Sequence, residues 1–297
     1  MSASRLVFVH AWTPLHAGTG QGVGSIDLPI ARERATHLPL VPGSSLKGCL
    51  RDTAKASKMA ELKSIFGPET DKAAEHAGAL RVGDARLTLL PVRSLTATFV
   101  WVTCPFVLRR LKRDAEACGL TGVPAVPAVV KEEARVAAGT ATVQLESAKR
   151  LVLEEVDLKV ADGEETAWTA WFASQLFPAD TAWQDEFKKR FAIISDDVFT
   201  FLAEFATEVN AHIRIDSDTG TVEDGALWYQ ECLPAESILV SVFQADDSRK
   251  KGDTLKAADV LQKALATPRI QLGGKATTGL GVVQLVSAVA AATGGGR

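Results

Sequence analysis

The 297-residue chain has no apolar run long enough to cross a bilayer. Its first residues, Met1 to Leu6, carry no signal-peptide pattern and lead straight into a strand-like run. A cytoplasmic location with no membrane partner is therefore expected. Four cysteines, Cys49, Cys104, Cys118 and Cys232, are far apart and none forms a C-x-x-C pair, so free thiols in a reducing compartment are expected. Five histidines give no pair at the helical spacing of a metal site. There is no basic excess either. Lys and Arg total 33 against 36 Asp and Glu, a net charge of -3, which argues against binding nucleic acid through bulk charge.

The common catalytic signatures are missing too. Gly18-Thr19-Gly20-Gln21-Gly22-Val23-Gly24 fits G-x-G-x-x-G in no register, and no helix opens directly after it. Gly274-Lys275 lacks the rest of a P-loop, because Arg269 stands where the first glycine belongs and Ala276 replaces Ser or Thr. Gly43-Ser44-Ser45 is not a nucleophile elbow, since Lys47 replaces the closing glycine.

What is present is ordinary in bulk and uneven in detail. Apolar content of 46% and charged content of 23% describe a globular chain of one large or two small domains. Between Ala31 and Lys63 lie Arg32, Arg34, Lys47, Arg51, Lys55, Lys58 and Lys63, and a second basic run is Arg109-Arg110-Leu111-Lys112-Arg113. Acidic residues gather elsewhere, at Glu154-Glu155, Glu164-Glu165 and Asp196-Asp197. This asymmetry suits either one nucleic-acid-facing surface or a set of solvated helix faces.

The patterning gives a coarse map. Residues 6–12, LVFVHAW, read as a strand. Ser44 or Ser45 is placed to cap a helix with apolar positions Leu46, Cys49, Leu50 and Ala54, running to about Phe66. Strands are expected over 80–90 and 96–103, a surface loop over 123–130, and a strand over 150–160. Residues 167–210 read as helix in two or three pieces. A strand at 212–215 then turns at 216–220 and runs back. A strong strand at 237–243, an amphipathic helix at 253–266 and a strand pair over 269–286 complete the map, and the Ala/Gly tail from Ala288 is expected to fray. The order fits an α+β fold, a ferredoxin-like (RRM-like) β-α-β-β-α-β core with a large insertion.

Three segments carry chemistry. In Pro42-Gly43-Ser44-Ser45-Leu46-Lys47-Gly48, a small-residue turn opens a helix whose free N–H groups favour an anion. Lys47, Arg51, Lys55 and Lys58 share one face, which is either a phosphate track or a wet basic face. Asp27 sits between apolar neighbours in Gly24-Ser25-Ile26-Asp27-Leu28-Pro29-Ile30, near His16, Arg32 and Arg34 in sequence. It is either a backbone-capping aspartate or an acid beside a phosphate track, able to take a 2′-hydroxyl proton or hold a metal. In Ile270 to Gly281, four glycines with Lys275 form either an anion-binding nest or a flexible turn.

Together these segments resemble the RAMP superfamily of CRISPR proteins, and most narrowly the backbone subunit of type III-B (Cmr) effector complexes. The carrying residues are Thr13 to Gly20, Ile26 to Arg32, Leu40 to Gly48 with Arg51, Val102-Thr103-Cys104-Pro105, Leu227 to Glu231 with Leu233-Pro234, and Gly273 to Gly281. The resemblance implies a palm over 1–104 and 235–297, and an insertion over 105–234 with a β-hairpin thumb near 212–228. It implies an RNA-guided endoribonuclease whose copies stack into a filament along a guide crRNA, with other type III effector subunits as partners. Complementary target RNA would be cut at regular intervals by 2′-hydroxyl attack, leaving a cyclic phosphate. Asp27 would be the catalytic residue and the ligand of a divalent metal, Mg or Mn, with His16 and Glu231 near the site. Ser44, Ser45, Lys47, Arg51, Arg32, Gly273, Gly274, Lys275 and Arg214 would contact RNA. A non-catalytic guide-RNA scaffold is the alternative.

Overall fold

The computed structural model describes residues 2–289 except 23, 73 and 146. The start of the expected frayed tail, Ala288 and Val289, is described, whereas 290–297 lie outside the described residues. Strand β1 (Ser2–Ala11) contains the unbroken apolar run Leu6-Val7-Phe8-Val9, and it is buried on both faces from Leu6 onward. Val7, Val9 and Ala11 share one core with Leu46 and Leu50, whereas Leu6 and Phe8 join a second core with Trp171 and Phe172. This period-two split is what a sheet covered on both sides requires.

After β2 (Leu40–Val41) comes helix α1 (Gly43–Ala56), which buries Gly43, Leu46, Leu50 and Ala54. Full burial of each leucine contributes about 1.5–3 kcal/mol. Two expectations fail here. Neither Ser44 nor Ser45 caps the helix; the Gly43 N–H donates instead to Asp84 Oδ1 at 2.7 Å. The helix also does not reach Phe66. It ends at Ser57, Lys58 turns left-handed at φ 55°, and a short α2 (Leu62–Phe66) follows. The break lets Met59 and Leu62 pack against the core, and it takes Lys58 off the helical face it was expected to share.

Strands β3 (Leu80–Val82), β4 (Ala85–Arg93) and β5 (Phe99–Thr103) follow, and the basic run 109–113 lies on α3 (Pro105–Ala117). Residues 123–130 form no regular element, and Val123 is buried. The chain continues with β6 (Glu133–Val136), β7 (Val143–Leu145), β8 (Ala148–Leu153) and β9 (Val156–Val160). The single strand expected over 150–160 is thus a hairpin, turned at Glu154 with φ 48°. Next come α4 (Ala167–Leu176), α5 (Thr181–Lys188), β10 (Phe191–Ile194) and α6 (Asp196–Phe205). β10 was expected to be helix. Its four consecutive apolar residues are all buried between β5 and β6, where a strand needs no alternation.

β11 (Glu208–Ile215) and β12 (Val222–Cys232) pair only with each other among strands, as a two-stranded antiparallel ribbon. β13 (Ile238–Asp246), α7 (Ala257–Ala264), β14 (Arg269–Gln271) and β15 (Val282–Ser287) complete the chain. The main sheet runs β14-β15-β1-β13-β4-β5-β10-β6-β9-β8-β7. Its centre, β15-β1-β13-β4, is antiparallel throughout. Helices α1 and α7 contribute to one core, and α3 and α4 to the other. Among the described residues, no helix is long and apolar enough to cross a membrane.

Candidate RNA-cleaving site

The segment between β1 and β2 has little regular structure of its own and is fixed by bridges. Leu15 pairs with Leu233, Gly18 with Ile30, and Leu28 with Gln230. The Gly22 N–H donates to Asp27 O at 2.8 Å, so the chain turns back on itself between them. Leu28 N–H donates to Tyr229 O at 3.0 Å and Glu231 N–H to Leu28 O at 3.0 Å, so the loop lies along β12. Asp27 is therefore held on its own side by the turn and on the other by the ribbon. One of its oxygens, Oδ2, accepts the Tyr229 N–H at 2.7 Å, and the residue stays exposed.

Asp27 faces an open cleft of about 470 Å³ lined also by Gln21, Gly22, Leu28, Arg214, Gly225, Leu227, Trp228 and Lys275. Arg214 pairs with Glu223 at 3.2 Å on the ribbon. Lys275 sits in the glycine-rich turn at φ 64°, and its ammonium has no partner among the described residues. One carboxylate and two cations thus meet in a groove walled by Trp228.

His16 and Glu231 lie behind this cleft, 7% and 2% exposed. His16 Nδ1 is 2.7 Å from Glu231 O; a carbonyl only accepts, so Nδ1 carries the proton and Nε2 faces the other way. A side chain at Gly18 would place Cβ 2.5 Å from Nε2, and one at Gly273 would place it 2.4 Å from His16 O. Both glycines are needed for close approach. The Gly274 N–H donates to His16 O at 2.9 Å, which ties the glycine-rich turn to this loop. Glu231 accepts from Ile30 N–H at 3.0 Å, Arg32 at 2.5 Å and Thr207 Oγ1 at 3.0 Å. Its carboxylate is fully engaged inside the protein.

The other expected RNA contacts divide into two groups. Ser44 and Ser45 are exposed at the start of α1, and Gly273, Gly274 and Lys275 are exposed in the turn beside His16. The remaining cations are held by the protein. Arg32 donates also to His37 O and Ala203 O, both at 2.9 Å. Arg51 binds Gly67 O, Pro68 O and Glu69. Lys47 donates to Leu80 O at 2.8 Å, and burial, followed by the charge of Arg51, pushes its pKa down. Desolvation raises the pKa of Cys49, whose sulfur meets the Gly273 backbone, so α1 adjoins the glycine-rich turn. Sequence reasoning missed Asp84 as the anion at the helix start, because it lies 41 residues from Gly43 with no local signal.

The RAMP superfamily pattern matches residues 9–284. The chain therefore belongs to the RAMP superfamily. It is 37% identical over 285 residues to the CRISPR system Cmr endoribonuclease Cmr4 of Pyrococcus furiosus, covering 94% of each. It is 24% identical to the CRISPR system CMR subunit Cmr4 of Saccharolobus solfataricus, again over 94% of each. Among solved structures, an oligomeric Cmr4 from Pyrococcus furiosus superimposes with a TM-score of 0.72 at 26% identity, covering 96% of this chain and 97% of that one. A chain of the type III-B Cmr-beta complex bound to cognate target RNA shares the fold, with a TM-score of 0.71 at 20% identity and 96% of each chain covered.

Proposed function

We propose that this chain is a guide-RNA-binding backbone subunit of a type III-B CRISPR effector, and that it cuts complementary target RNA with Asp27. The observation that carries this reading is the cleft in which exposed Asp27 faces Arg214 and Lys275. The relatives' names, an endoribonuclease and a subunit of Cmr complexes, support it.

The protein works in the cytoplasm, with crRNA, target RNA, copies of itself in a filament and other effector subunits as partners. The sheet order β15-β1-β13-β4, with helices after its first and third strands in sequence, supports a ferredoxin-like palm over 1–104 and 235–297. The ribbon β11–β12 is the thumb of the 105–234 insertion. Its exposed Ile213, Ile215, Val222 and Leu227 suit insertion between stacked bases or against a neighbour.

In the reaction, Asp27 accepts the 2′-hydroxyl proton. The 2′-oxygen bonds to phosphorus as the bond to the 5′-oxygen breaks, and the departing 5′-oxygen takes a proton from water, giving a cyclic phosphate and a 5′-hydroxyl. Lys275 and Arg214 bind phosphate and offset its growing charge. His16 and Glu231 line no part of the cleft; they are positioning residues that fix the Asp27 loop and the glycine-rich turn. Among the described residues, no three metal-ligating side chains cluster. Asp27 is the carboxylate available in the cleft to hold an Mg or Mn ion, whose other ligands would be water and RNA phosphate and which would polarise that phosphate.

The test assembles the complex with a known guide and end-labelled complementary RNA, for wild type and Asp27→Ala. Evenly spaced products that vanish in the variant while target still binds would support the proposal. An unchanged ladder would leave the chain a scaffold and move the chemistry elsewhere.

A further inference from the structure

A second cleft shares no residue with the one around Asp27. Its volume is about 950 Å³. Its floor is the end of β1, where His10, 6% exposed, lies with Nε2 2.7 Å from Glu236 Oε2. One wall is an aromatic pair from the insertion, Phe177 and Trp183, stacked at 5.6 Å and 18°. Trp12, 37% exposed, also lines it.

Glu236 adopts the left-handed conformation, φ 70°, in the turn before β13, as Glu132 and Glu154 do in theirs. Its N–H donates to Ala11 O at 2.6 Å and its carbonyl accepts from Trp101 Nε1 at 2.8 Å, so the turn itself needs no side chain. The Glu236 carboxylate is held at Oε2 by His10, and Oε1 forms no hydrogen bond among the described residues. Asp180 adds a second acid to the lining, and no lysine or arginine lines the cleft.

Exposed tryptophans beside an unsaturated carboxylate form a receptor for a planar cation. A guanidinium stacks on indole and pairs with carboxylate at once, which an ammonium does less well. Trp12 already shows this affinity, carrying the Arg269 guanidinium 4.4 Å from its ring centroid. A nucleobase would also stack on these rings. It brings a phosphate, however, and the lining offers that phosphate two acids and no basic side chain other than His10.

We propose that this cleft is a docking site for an arginine side chain of a partner protein, stacked on a free indole face of the lining and paired with Glu236. The site is independent of the RNA-cleaving role.

The test follows the indole N–H resonances of the full-length chain during titration with Ac-Gly-Arg-Gly-amide, the lysine analogue, and guanosine monophosphate. Saturable shifts of Trp12 and Trp183 with the arginine peptide are expected, with weaker shifts for lysine. Glu236→Gln should weaken arginine binding about fivefold or more, the loss of one charge-assisted bond. Trp183→Ala, on an exposed helix face, should weaken it with no loss of folding, and Glu236→Gly provides a variant free of backbone strain. Four results would each overturn the proposal: no saturable shift, equal response to lysine, binding unchanged in Glu236→Gln and Glu236→Gly, or preference for the nucleotide.

Discussion

Replacing Glu231 by alanine separates bracing from chemistry. The carboxylate is 2% exposed and satisfies three donors, of which Arg32, at 2.5 Å, is itself only 16% exposed in its side chain. Removing one member of a buried, hydrogen-bonded ion pair costs about 3–5 kcal/mol. The stranded Ile30 N–H falls within that figure, because its acceptor, Oε2, is lost with the same carboxylate that pairs Arg32 through Oε1. Against a total stability of about 5–15 kcal/mol, this is a large fraction. Glu231→Gln keeps the shape and an acceptor for Ile30 but loses the charge-assisted component, so a cost of about 1–2 kcal/mol is expected. Pairing Glu231→Ala with Arg32→Met removes both charges, and the double variant should recover more than about 1 kcal/mol relative to the sum of the singles. Urea unfolding of wild type, the three single variants and the double variant measures all of this, with target cleavage compared at equal folded fraction. If Glu231→Ala unfolds within about 0.5 kcal/mol of wild type yet loses cleavage, the carboxylate acts chemically and the bracing argument fails.

Three further outcomes follow from other contacts. Gly18→Ala brings a methyl to 2.5 Å from His16 Nε2, with the ring pinned on its other side by Glu231 O. Stability should fall by about 1–3 kcal/mol, and a wild-type urea midpoint would show that the ring is free to move aside. Glu33 is held below the usual carboxylate range first by its hydrogen bonds from Arg110, at 2.7 and 2.5 Å. A depressed folded pKa gives stability that is complete above the ordinary glutamate value and lost as pH falls through the folded one. Glu33→Gln should therefore lower the thermal midpoint at pH 7, and the gap to wild type should close on acidification; a gap that persists in acid would point to lost packing. Lys275→Ala should weaken RNA binding and reduce the slope of log K against log salt by about one, measured by filter binding at several salt concentrations. An unchanged slope would remove Lys275 from the phosphate contacts.

Sequence alone determined the local elements, because period-two and period-3.6 patterns need only neighbouring residues. α7 lies within the segment its patterning marks, and β1, the first turns of α1 and β13 overlap theirs, β1 starting four residues earlier and β13 running three residues further. The motif segments also stood out as sequence, and tertiary structure brings Asp27, Arg214 and Lys275 to one cleft from positions far apart along the chain. What the pattern did not show was where each charge would find its partner. Arg32 and Arg51 both stood among the expected RNA contacts, yet the first is consumed by Glu231, 199 residues away, and the second by carbonyls beyond α2. Asp84 reached the start of α1 only because the β3–β4 bend passes it, and β10 became a strand only because β5 and β6 flank it. Helix and strand preferences are set by a few adjacent side chains. The pairing of a buried charge is set by which segments the sheet order brings together, and no local pattern encodes that.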